Sequence, residues 1–386
     1  MKKLVTVILL ASLLALVVVG YPESASASPS AQHIHVCPSA AVGFARCHAI
    51  LVLRANGVGR APAGLNPPDL QSAYKLPSSA TAGSGQTVAI VDAFNDPNAE
   101  SDLGVYRSQF SLAACTTANG CFRKVDQHGG TNYPKSNGSW AQEISLDLDM
   151  VSAICPNCHI LLVEASSNSN ANLQAAVDEA ASLGANEISN SYGGTEYSGE
   201  VSDQSHYNHP GIAITASSGD SGFGVQFPAA SRYVTAVGGT SLNKANTARG
   251  WSETAWSGAG SGCSAYITKP SWQSDAGCSQ RTVADVAADA DPNTGVSVYD
   301  SFKFQGVSGW LVFGGTSVAS PIIASVYALA GNAGSVTYSS SAYSHPRSLF
   351  DVTSGSNGTC GTYLCTAGPG YDGPTGNGTP NGTGAF

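Results

Sequence analysis

A serine that follows two glycines and precedes a helix has the setting of a catalytic nucleophile. Ser317 ends residues 314–317, which separate an apolar run predicted as a strand, 310–313, from a helical pattern over 318–330. Glycines permit a sharp turn there, and free N–H groups at a helix N-terminus favour the negative charge that acyl transfer creates. The alternative is that Thr316 or Ser317 only caps the helix.

Two carboxylates could supply the base for such a serine. Glu143 and Asp147 are four residues apart on a helix predicted over 140–154, so their side chains share one face. Neighbouring carboxylates raise the pKa of one of them, as a general base or acid requires. The alternative is a solvated acidic face, but much of the helix is apolar, including Ile144, Leu146, Leu148, Met150 and Val151.

A third polar loop, 217–222, follows a strand predicted over 211–216 and contains Asp220. Asp220 could cap a tight turn. Residues 219–222 also copy the nucleophile loop of trypsin-like proteases, but that all-β family needs a histidine base. His128 is the nearest candidate and lacks the sequence setting of such a base, and the eight histidines are scattered along the chain. A Ser-His-Asp triad is therefore poorly supported.

The composition fits a secreted protein. The chain has 386 residues, of which 42% are hydrophobic and 11% charged, and its net charge is −9. This length supports one large domain or two smaller ones. Because the sequence has no basic patch, nucleic acid is not an expected partner. A surface of uncharged polar residues suits a medium in which carboxylates are partly protonated.

The N-terminus predicts export. Lys2 and Lys3 precede an apolar run over 4–19, and the small residues 25–27 offer a cleavage site, so residues 1–27 are predicted to be a signal peptide. A membrane anchor is the alternative, but the run is shorter than the roughly 20 residues that a span needs. No later segment is apolar enough to cross a membrane. We therefore expect a secreted protein without membrane contact.

Ten cysteines fall into five close pairs. In an exported chain these pairs predict local disulfides: Cys37/Cys47, Cys115/Cys121, Cys155/Cys158, Cys263/Cys278 and Cys360/Cys365. The spacing of Cys155 and Cys158 is also that of a redox or zinc motif, which is the alternative for this pair.

Apolar strands alternate with helical patterns through the middle of the chain. Residues 28–68 are interpreted as a short leader or pro-segment, and 69–386 as one globular domain that opens with a short helix over 69–77. Strands are predicted over 87–92, 159–163, 187–192, 211–216 and 233–237, and helices between 95 and 110, over 140–154 and over 170–183. This order predicts an α/β fold with a mostly parallel sheet and helices on both faces. The Gly-rich end, 355–386, is either disordered or tied down by its cysteines and a metal.

Taken in order, these motifs resemble the three active-site motifs of the sedolisins, the serine-carboxyl peptidases. The matching residues are Glu143-x-x-x-Asp147, Ser218-Gly219-Asp220-Ser221-Gly222 and Gly315-Thr316-Ser317-x-Ala319-x-Pro321. Residues 69–77 and 285–295 also match, so the resemblance covers about residues 69–386. Sedolisins usually carry a longer folded pro-domain than residues 28–68 could form.

The resemblance implies a single subtilisin-like catalytic domain that hydrolyses peptide bonds of proteins and peptides at acidic pH. It implies that Ser317 is the nucleophile, that Glu143 is the general base and that Asp147 orients Glu143. A protonated Asp220 would donate a hydrogen bond in the oxyanion hole. We expect a monomer. Asp92 ends a strand as the catalytic Asp of subtilisins does, but without a histidine partner it is interpreted as structural.

The resemblance also implies one structural calcium ion near the C-terminus. Its oxygen ligands would be the carboxylates of Asp351 and Asp372 and the carbonyls of Val352, Gly368 and Gly370. The alternative is a Gly-rich turn with two surface aspartates.

Two other functions are compatible with the sequence. A non-catalytic descendant would bind peptides or cell surfaces, and it is disfavoured because all four catalytic positions are filled. A subtilisin-type enzyme with a histidine base would work near neutral pH and fail in acid.

Overall fold

The computed structural model describes Met1, residues 31–53 and residues 61–386. Apart from Met1, the predicted signal peptide lies outside the described residues, and the division of the chain at residues 27 and 68 stays a prediction. Across the described part of the chain, no helix combines the length and the apolar character that crossing a membrane would take.

Seven α-helices and nineteen strands form the described part of the protein. The helices are α1 (Pro67–Ala73), α2 (Ala99–Gln109), α3 (Gly138–Ile154), α4 (Asn170–Ser182), α5 (Glu200–Asp203), α6 (Thr316–Ala330) and α7 (Ser340–Ser344). The strands are β1 (Gln32–His35), β2 (Arg46–Cys47), β3 (Ile50–Leu53), β4 (Thr87–Ala93), β5 (Phe122–Asp126), β6 (His159–Ala165), β7 (Glu187–Asn190), β8 (Tyr192–Thr195), β9 (Ala213–Ser217), β10 (Gln226–Phe227), β11 (Thr235–Lys244), β12 (Trp251–Ala255), β13 (Gly262–Thr268), β14 (Gln280–Val283), β15 (Val286–Asp289), β16 (Val296–Phe304), β17 (Val307–Gly314), β18 (Leu349–Phe350) and β19 (Thr379–Pro380).

Eight strands form the central sheet in the order β12-β11-β9-β7-β4-β6-β5, with β15 also paired to β11. Its strand pairs are parallel except β11 with β12. Side chains of β4 alternate between two hydrophobic clusters, with Val88 and Ile90 in one and Ala89 and Val91 in the other. A sheet that is apolar on both faces needs helices on both faces. The predicted mostly parallel α/β architecture is confirmed.

Most predicted elements lie where the apolar runs and helical periodicity placed them. The helix predicted over 140–154 is α3, and it begins at Gly138 because the Asn137 side chain accepts the N–H groups of Ser139 and Trp140. The run predicted as one strand over 187–192 is two strands, β7 and β8, which separate at Ser191. The sequence did not predict the five strands from β12 to β16.

The Gly-rich end of the chain is packed against the core. Phe386 is 1% exposed, and its ring meets that of Tyr327 on α6 edge to face, with centroids 5.2 Å apart. All five predicted disulfides are present, including Cys360–Cys365 within this segment. Of the two alternatives for residues 355–386, disorder is therefore wrong.

Residues 31–53 pack into the domain as three strands. β1 pairs antiparallel with β3, and β3 also pairs with β17, so that one sheet runs β1-β3-β17-β16. β2 pairs with β8 in a second small sheet. The Cys37–Cys47 disulfide closes the loop that connects β1 to β2. The segment interpreted as a leader is therefore joined to the rest of the chain by backbone pairing.

Many acidic side chains are buried in this fold: Asp92, Asp96, Glu143, Asp147, Asp149, Glu164, Glu187, Asp220, Asp289 and Asp300. Burial raises the pKa of each of them, because the charged form loses its hydration. Glu187 is the simplest case, since burial alone raises its pKa to about 8. Groups of this kind stabilise the fold while they remain protonated, so the protein should be most stable in acid.

Replacing Glu187 by Gln should flatten the dependence of stability on pH. The folded-state pKa lies above the value of 4.5 in the unfolded chain, so the contribution of Glu187 is complete below pH 4.5 and is lost as the pH rises through about 8. The loss amounts to at most about 1.4 kcal/mol per pH unit, and uncharged Gln does not incur it. Urea unfolding of both proteins between pH 4 and 8 gives the slope of the unfolding free energy against pH for each. Equal slopes in wild type and Glu187→Gln would contradict this prediction.

Candidate active site

Three elements bring the predicted catalytic residues together. α3 carries Glu143 and Asp147, the loop after β9 carries Asp220, and the first turn of α6 carries Ser317. All four side chains are buried. Asp147, the Ser317 hydroxyl and Asp220 all affect the pKa of Glu143.

The turn into α6 fixes the position of Ser317. Gly315 has a φ of 96°, and a Cβ at this residue would lie 1.9 Å from the carbonyl oxygen of His48, so only glycine fits. The Ser317 hydroxyl donates to the Ser191 carbonyl at 3.2 Å. The Ser317 carbonyl accepts the Ser191 hydroxyl at 3.4 Å, because Pro321 has no N–H with which to bond it in the helix.

Glu143 accepts a backbone N–H and lies within reach of the nucleophile. Its Oε2 accepts the N–H of Ala49 at 2.8 Å, and its Oε1 has no hydrogen-bond partner among the described residues. Burial raises the pKa of Glu143 well above its usual range, and the neighbouring Asp147 raises it further. The nearby Ser317 hydroxyl and the Ala49 N–H both lower that pKa, because both groups favour the ionised carboxylate. In this structure the Ser317 hydroxyl bonds the Ser191 carbonyl, and Oε1 of Glu143 is free to accept it.

Asp147 and Asp92 extend the acidic group behind Glu143. Burial raises the pKa of Asp147 well above its usual range and Asp92 raises it further, whereas contacts with Ser191 and Glu143 lower it. Asp92 is fully buried at the end of β4, and burial and the charge of Glu143 raise its pKa as well. Three carboxyl groups buried side by side cannot all be ionised, so at least one of them keeps its proton. Both oxygens of Asp92 and of Asp147 have no hydrogen-bond partner among the described residues. The sequence indicated a structural role for Asp92, and the structure places it in this acidic group.

Asp220 presents one free oxygen to the same space. Its Oδ1 accepts the N–H and the hydroxyl of Thr316, both at 2.8 Å, whereas its buried Oδ2 has no partner in the residues that the structure describes. Oδ2 lies 2.9 Å from the position that a Cβ on Gly315 would take, close to the His48 carbonyl oxygen. Burial raises the pKa of Asp220 to about 7. Below that pH the proton is on Oδ2, which can then donate to an oxyanion.

His48 lies in this region without acting as a base for the serine. Its ring is fully buried, with Nδ1 2.6 Å from Ser217 Oγ and Nε2 2.9 Å from Gln226 Oε1. Burial, assisted by the charge of Arg46, lowers the pKa of His48 to about 3, so the ring is neutral. Both ring nitrogens are bonded elsewhere, so His48 forms no Ser-His pair with Ser317.

Several residues around the nucleophile were missed by the sequence analysis. Ser191 follows β7, and the rule that sites form at the C-terminal ends of parallel strands would have singled it out. Gln226 and His48 carry no such signal. Both reach the site through strands of a second small sheet, β10-β8-β2, whose members are far apart in the sequence.

The predicted calcium ligands meet in one region near the C-terminus. The Gly370 N–H donates to Asp351 Oδ2 at 2.9 Å, and the Gly368 N–H donates to Asp372 Oδ2 at 3.1 Å. Asp372 is buried, and burial raises its pKa to about 7. Within the described ranges, no three or more His, Cys, Asp or Glu side chains converge as a metal site. A site with two carboxylates and backbone carbonyls stays a prediction.

Comparison with known proteins gives one family. The model of the subtilase family (Peptidase_S8) matches residues 128–341. Kumamolisin from Bacillus sp. (strain MN-32) is 31% identical over 362 residues, which cover 83% of this chain and 63% of kumamolisin. Sedolisin from Pseudomonas sp. (strain 101) is 28% identical over 363 residues, which cover 82% of this chain and 60% of sedolisin. The chain thus spans less than two thirds of the length of these curated relatives.

Solved structures agree with the sequence comparison. Pseudomonas sedolisin, a serine-carboxyl proteinase complexed with two molecules of pseudo-iodotyrostatin, superposes with a TM-score of 0.69 at 29% identity, covering 84% of this chain and 96% of that one. The S41 psychrophilic protease shares the fold, with a TM-score of 0.54 at 18% identity. The predicted subtilisin-like fold is confirmed. The chain therefore belongs to the subtilase family, and within it the chain is similar to sedolisin and kumamolisin.

Proposed function

We propose that this protein is a secreted serine-carboxyl endopeptidase that hydrolyses peptide bonds of proteins and peptides in acid. The observation that carries the proposal is the convergence of Ser317, Glu143 and the free Oδ2 of Asp220. These groups are a nucleophile, a proton acceptor and a donor for an oxyanion, the three that acyl transfer needs. The description of the Pseudomonas relative as a serine-carboxyl proteinase supports the same chemistry.

In the proposed reaction, Ser317 attacks the carbonyl carbon of the substrate and Glu143 takes the hydroxyl proton. Asp147 holds a proton behind Glu143 and orients its carboxylate by a hydrogen bond, while the charge of Asp92 raises the pKa of Asp147. Asp220 donates to the oxyanion through Oδ2. Glu143 then passes its proton to the leaving amine, and a second cycle with water frees the acyl group from Ser317.

The same groups favour activity in acid. Asp220 must be protonated to donate, and its pKa of about 7 keeps it so throughout the acidic range. A histidine base would be charged in acid, whereas a carboxyl group can still serve as a base there when its ionised form is stabilised. For Glu143, the Ser317 hydroxyl and the Ala49 N–H favour that form against the effects of burial and of Asp147. Secretion is supported by the predicted signal peptide and by the five disulfides, since disulfides persist in oxidising compartments.

One structural calcium ion is part of the proposal. Asp351 lies close enough to Asp372 to raise its pKa further, and neither carboxylate has an ion-pair partner in the described ranges of the chain. A divalent cation would remove this repulsion. Together with the carbonyls of Val352, Gly368 and Gly370, these carboxylates form the hard oxygen set that Ca²⁺ prefers. The ion would hold the C-terminal segment to the domain.

Ser317→Ala should lower the rate of digestion of an unfolded protein at about pH 4 by at least about 10⁴-fold, because the nucleophile is removed. Ser325→Ala is the matched control. Ser325 is buried on the same helix, and its hydroxyl has no partner among the described residues, so this variant should digest at the wild-type rate. Circular dichroism of both variants should match the wild type. Digestion by Ser317→Ala at the wild-type rate would refute the proposal.

Asp220 should set the alkaline limb of the pH–rate profile. Ionised Asp220 repels the oxyanion, so kcat/KM should fall as the pH rises through about 7. The amide of Asn donates at every pH. Asp220→Asn should therefore retain activity above pH 7, with a maximum reduced by about 10–100-fold because a neutral amide is a weaker donor. Measuring kcat/KM of both proteins from pH 3 to 9 tests this prediction. If the alkaline limb is the same in wild type and Asp220→Asn, that limb belongs to a group other than Asp220.

Calcium should raise the midpoint of thermal unfolding. At a free concentration 100-fold above Kd, a bound ion adds about 2.7 kcal/mol of stability, which corresponds to roughly 3–8 °C. Asp372→Asn lacks one charged ligand and should lose this response. Mg²⁺, which demands a smaller octahedral site, is the control and should have little effect. An undiminished calcium response in Asp372→Asn would rule out this site.

A further inference from the structure

The N-terminal segment runs through the active-site cleft as an extended chain. β2 pairs antiparallel with β8, with Arg46 opposite Gly193. The Ala45 N–H donates to the Asn168 carbonyl at 2.9 Å, and the Asn168 side-chain amide donates to the Ala45 carbonyl at 2.7 Å. Backbone bonds of this kind hold a peptide by adding it as a strand, largely independently of its side chains.

The same segment continues on the other side of the nucleophile. β3 pairs antiparallel with β17, with Ile50 opposite Gly314, which is three residues before Ser317. His48 and Ala49 lie between the two pairings. The register therefore places the His48–Ala49 peptide bond in front of Ser317.

The two polar groups of this peptide bond face the two predicted acids. The Ala49 N–H donates to Glu143 Oε2 at 2.8 Å, the atom from which a leaving amine would take its proton. The His48 carbonyl oxygen lies against Gly315, beside the free Oδ2 of Asp220. Both groups thus occupy the positions that a bond about to be cleaved requires.

One carbonyl oxygen positions both the peptide and the attacking hydroxyl. The Ser191 carbonyl accepts the His48 N–H at 3.1 Å and the Ser317 hydroxyl at 3.2 Å. The nucleophile and the residue that would become its acyl group are therefore bound to the same carbonyl oxygen.

We propose that the protein cleaves its own chain between His48 and Ala49. The inference rests on the proposed function and adds a defined substrate bond and the step that separates the part of the leader ending at His48 from the rest of the chain. Ser317 Oγ forms an ester with the His48 carbonyl carbon as the C–N bond breaks, and its proton passes through Glu143 to the Ala49 nitrogen. Water then hydrolyses the ester, which restores the Ser317 hydroxyl and leaves a carboxyl group on His48 and an amine on Ala49.

The His48 side chain lies in a pocket that matches it. The Ser217 hydroxyl donates to Nδ1, and Nε2–H donates to Gln226 Oε1. This pattern suits the neutral ring, which can accept at one nitrogen and donate at the other. A Cβ on Gly193 would lie 2.8 Å from the ring, so glycine makes room for it. The pocket therefore selects a ring-sized, neutral side chain that hydrogen-bonds at both ends.

The two sides of the bond are also held together. β1 lies before the bond, β3 lies after it, and the two strands pair, while the Val36 N–H donates to the Ala49 carbonyl at 3.1 Å. Both cysteines of the Cys37–Cys47 disulfide lie on the N-terminal side. After the cut, the leader remains bound as an inhibitor until it dissociates, and denaturation without reductant is enough to separate it.

The test follows the mass and the N-terminus of the full chain at about pH 4. The wild type should acquire a new N-terminus beginning Ala49-Ile50-Leu51, and a leader peptide ending at His48 should separate under non-reducing denaturation. Ser317→Ala should stay uncut. Ala49→Pro, which offers Glu143 no N–H, should stay uncut at this bond. An intact His48–Ala49 bond in active wild type, or a cut only elsewhere, would overturn the inference.

Variants of two histidines test the pocket. His48→Leu loses both ring hydrogen bonds and should slow the cut by about tenfold or more. His33, exposed on β1, is the matched control, and His33→Leu should be cut at the wild-type rate. If His48→Leu does not fold, a peptide of residues 45–51 carrying Cys47→Ser should be cut by processed wild type at least about tenfold faster than its His48→Leu counterpart. Equal rates would overturn the proposed selection.

Digestion of an unfolded protein by the same samples separates this inference from the proposed function. Digestion together with an uncut His48–Ala49 bond overturns the inference and leaves the proposed function standing. The absence of both digestion and self-cleavage between pH 3 and 8 overturns both. Self-cleavage at this bond, lost in Ser317→Ala, supports both.

Discussion

Exclusion of water from a group of carboxyl groups is the constraint on which the rest of the structure depends. Glu143, Asp147 and Asp92 lie where α3 packs beside β4, and no water-facing surface remains on any of them. In water these groups would be ionised at moderate pH and would repel each other. In the dry interior they keep some of their protons, which lets them act as mutual donors and acceptors. The packing of α3 and α6 is therefore part of the acid–base chemistry.

The same constraint links stability to the conditions in which the protein would work. A buried carboxyl group whose pKa the fold raises contributes to stability only while it stays protonated, so an acidic medium supports both the fold and the donor role of Asp220. The low content of charged residues fits this picture, because few surface groups change charge in acid. A histidine-based site in a fold of ordinary composition would show the opposite preference.

The structural elements and site residues that the sequence predicted are those that carry a local sequence pattern. Helical periodicity placed Glu143 and Asp147 on one face, and a glycine turn before a helix identified Ser317. The buried strands β4, β6, β7 and β9 left apolar runs that the sequence analysis recognised, whereas β5 was not predicted. Of the five unpredicted strands from β12 to β16, β15 is buried and parallel to β11, and the other four pair antiparallel with a neighbour. The position of Asp92 beside Asp147 and the course of residues 31–53 depend on neighbours distant in sequence, which no local pattern encodes.

The pairing of β3 with β17 has a consequence for the order of folding. These strands come from opposite ends of the chain, and β17 leads directly into the helix that carries Ser317. Contacts between such distant segments close large loops and form late. The strand that positions the nucleophile pairs locally with β16 and thus acquires its second partner, β3, in the same late step that threads residues 43–51 through the cleft. The site would be assembled already filled, so a newly folded molecule would pass through no stage with an open cleft.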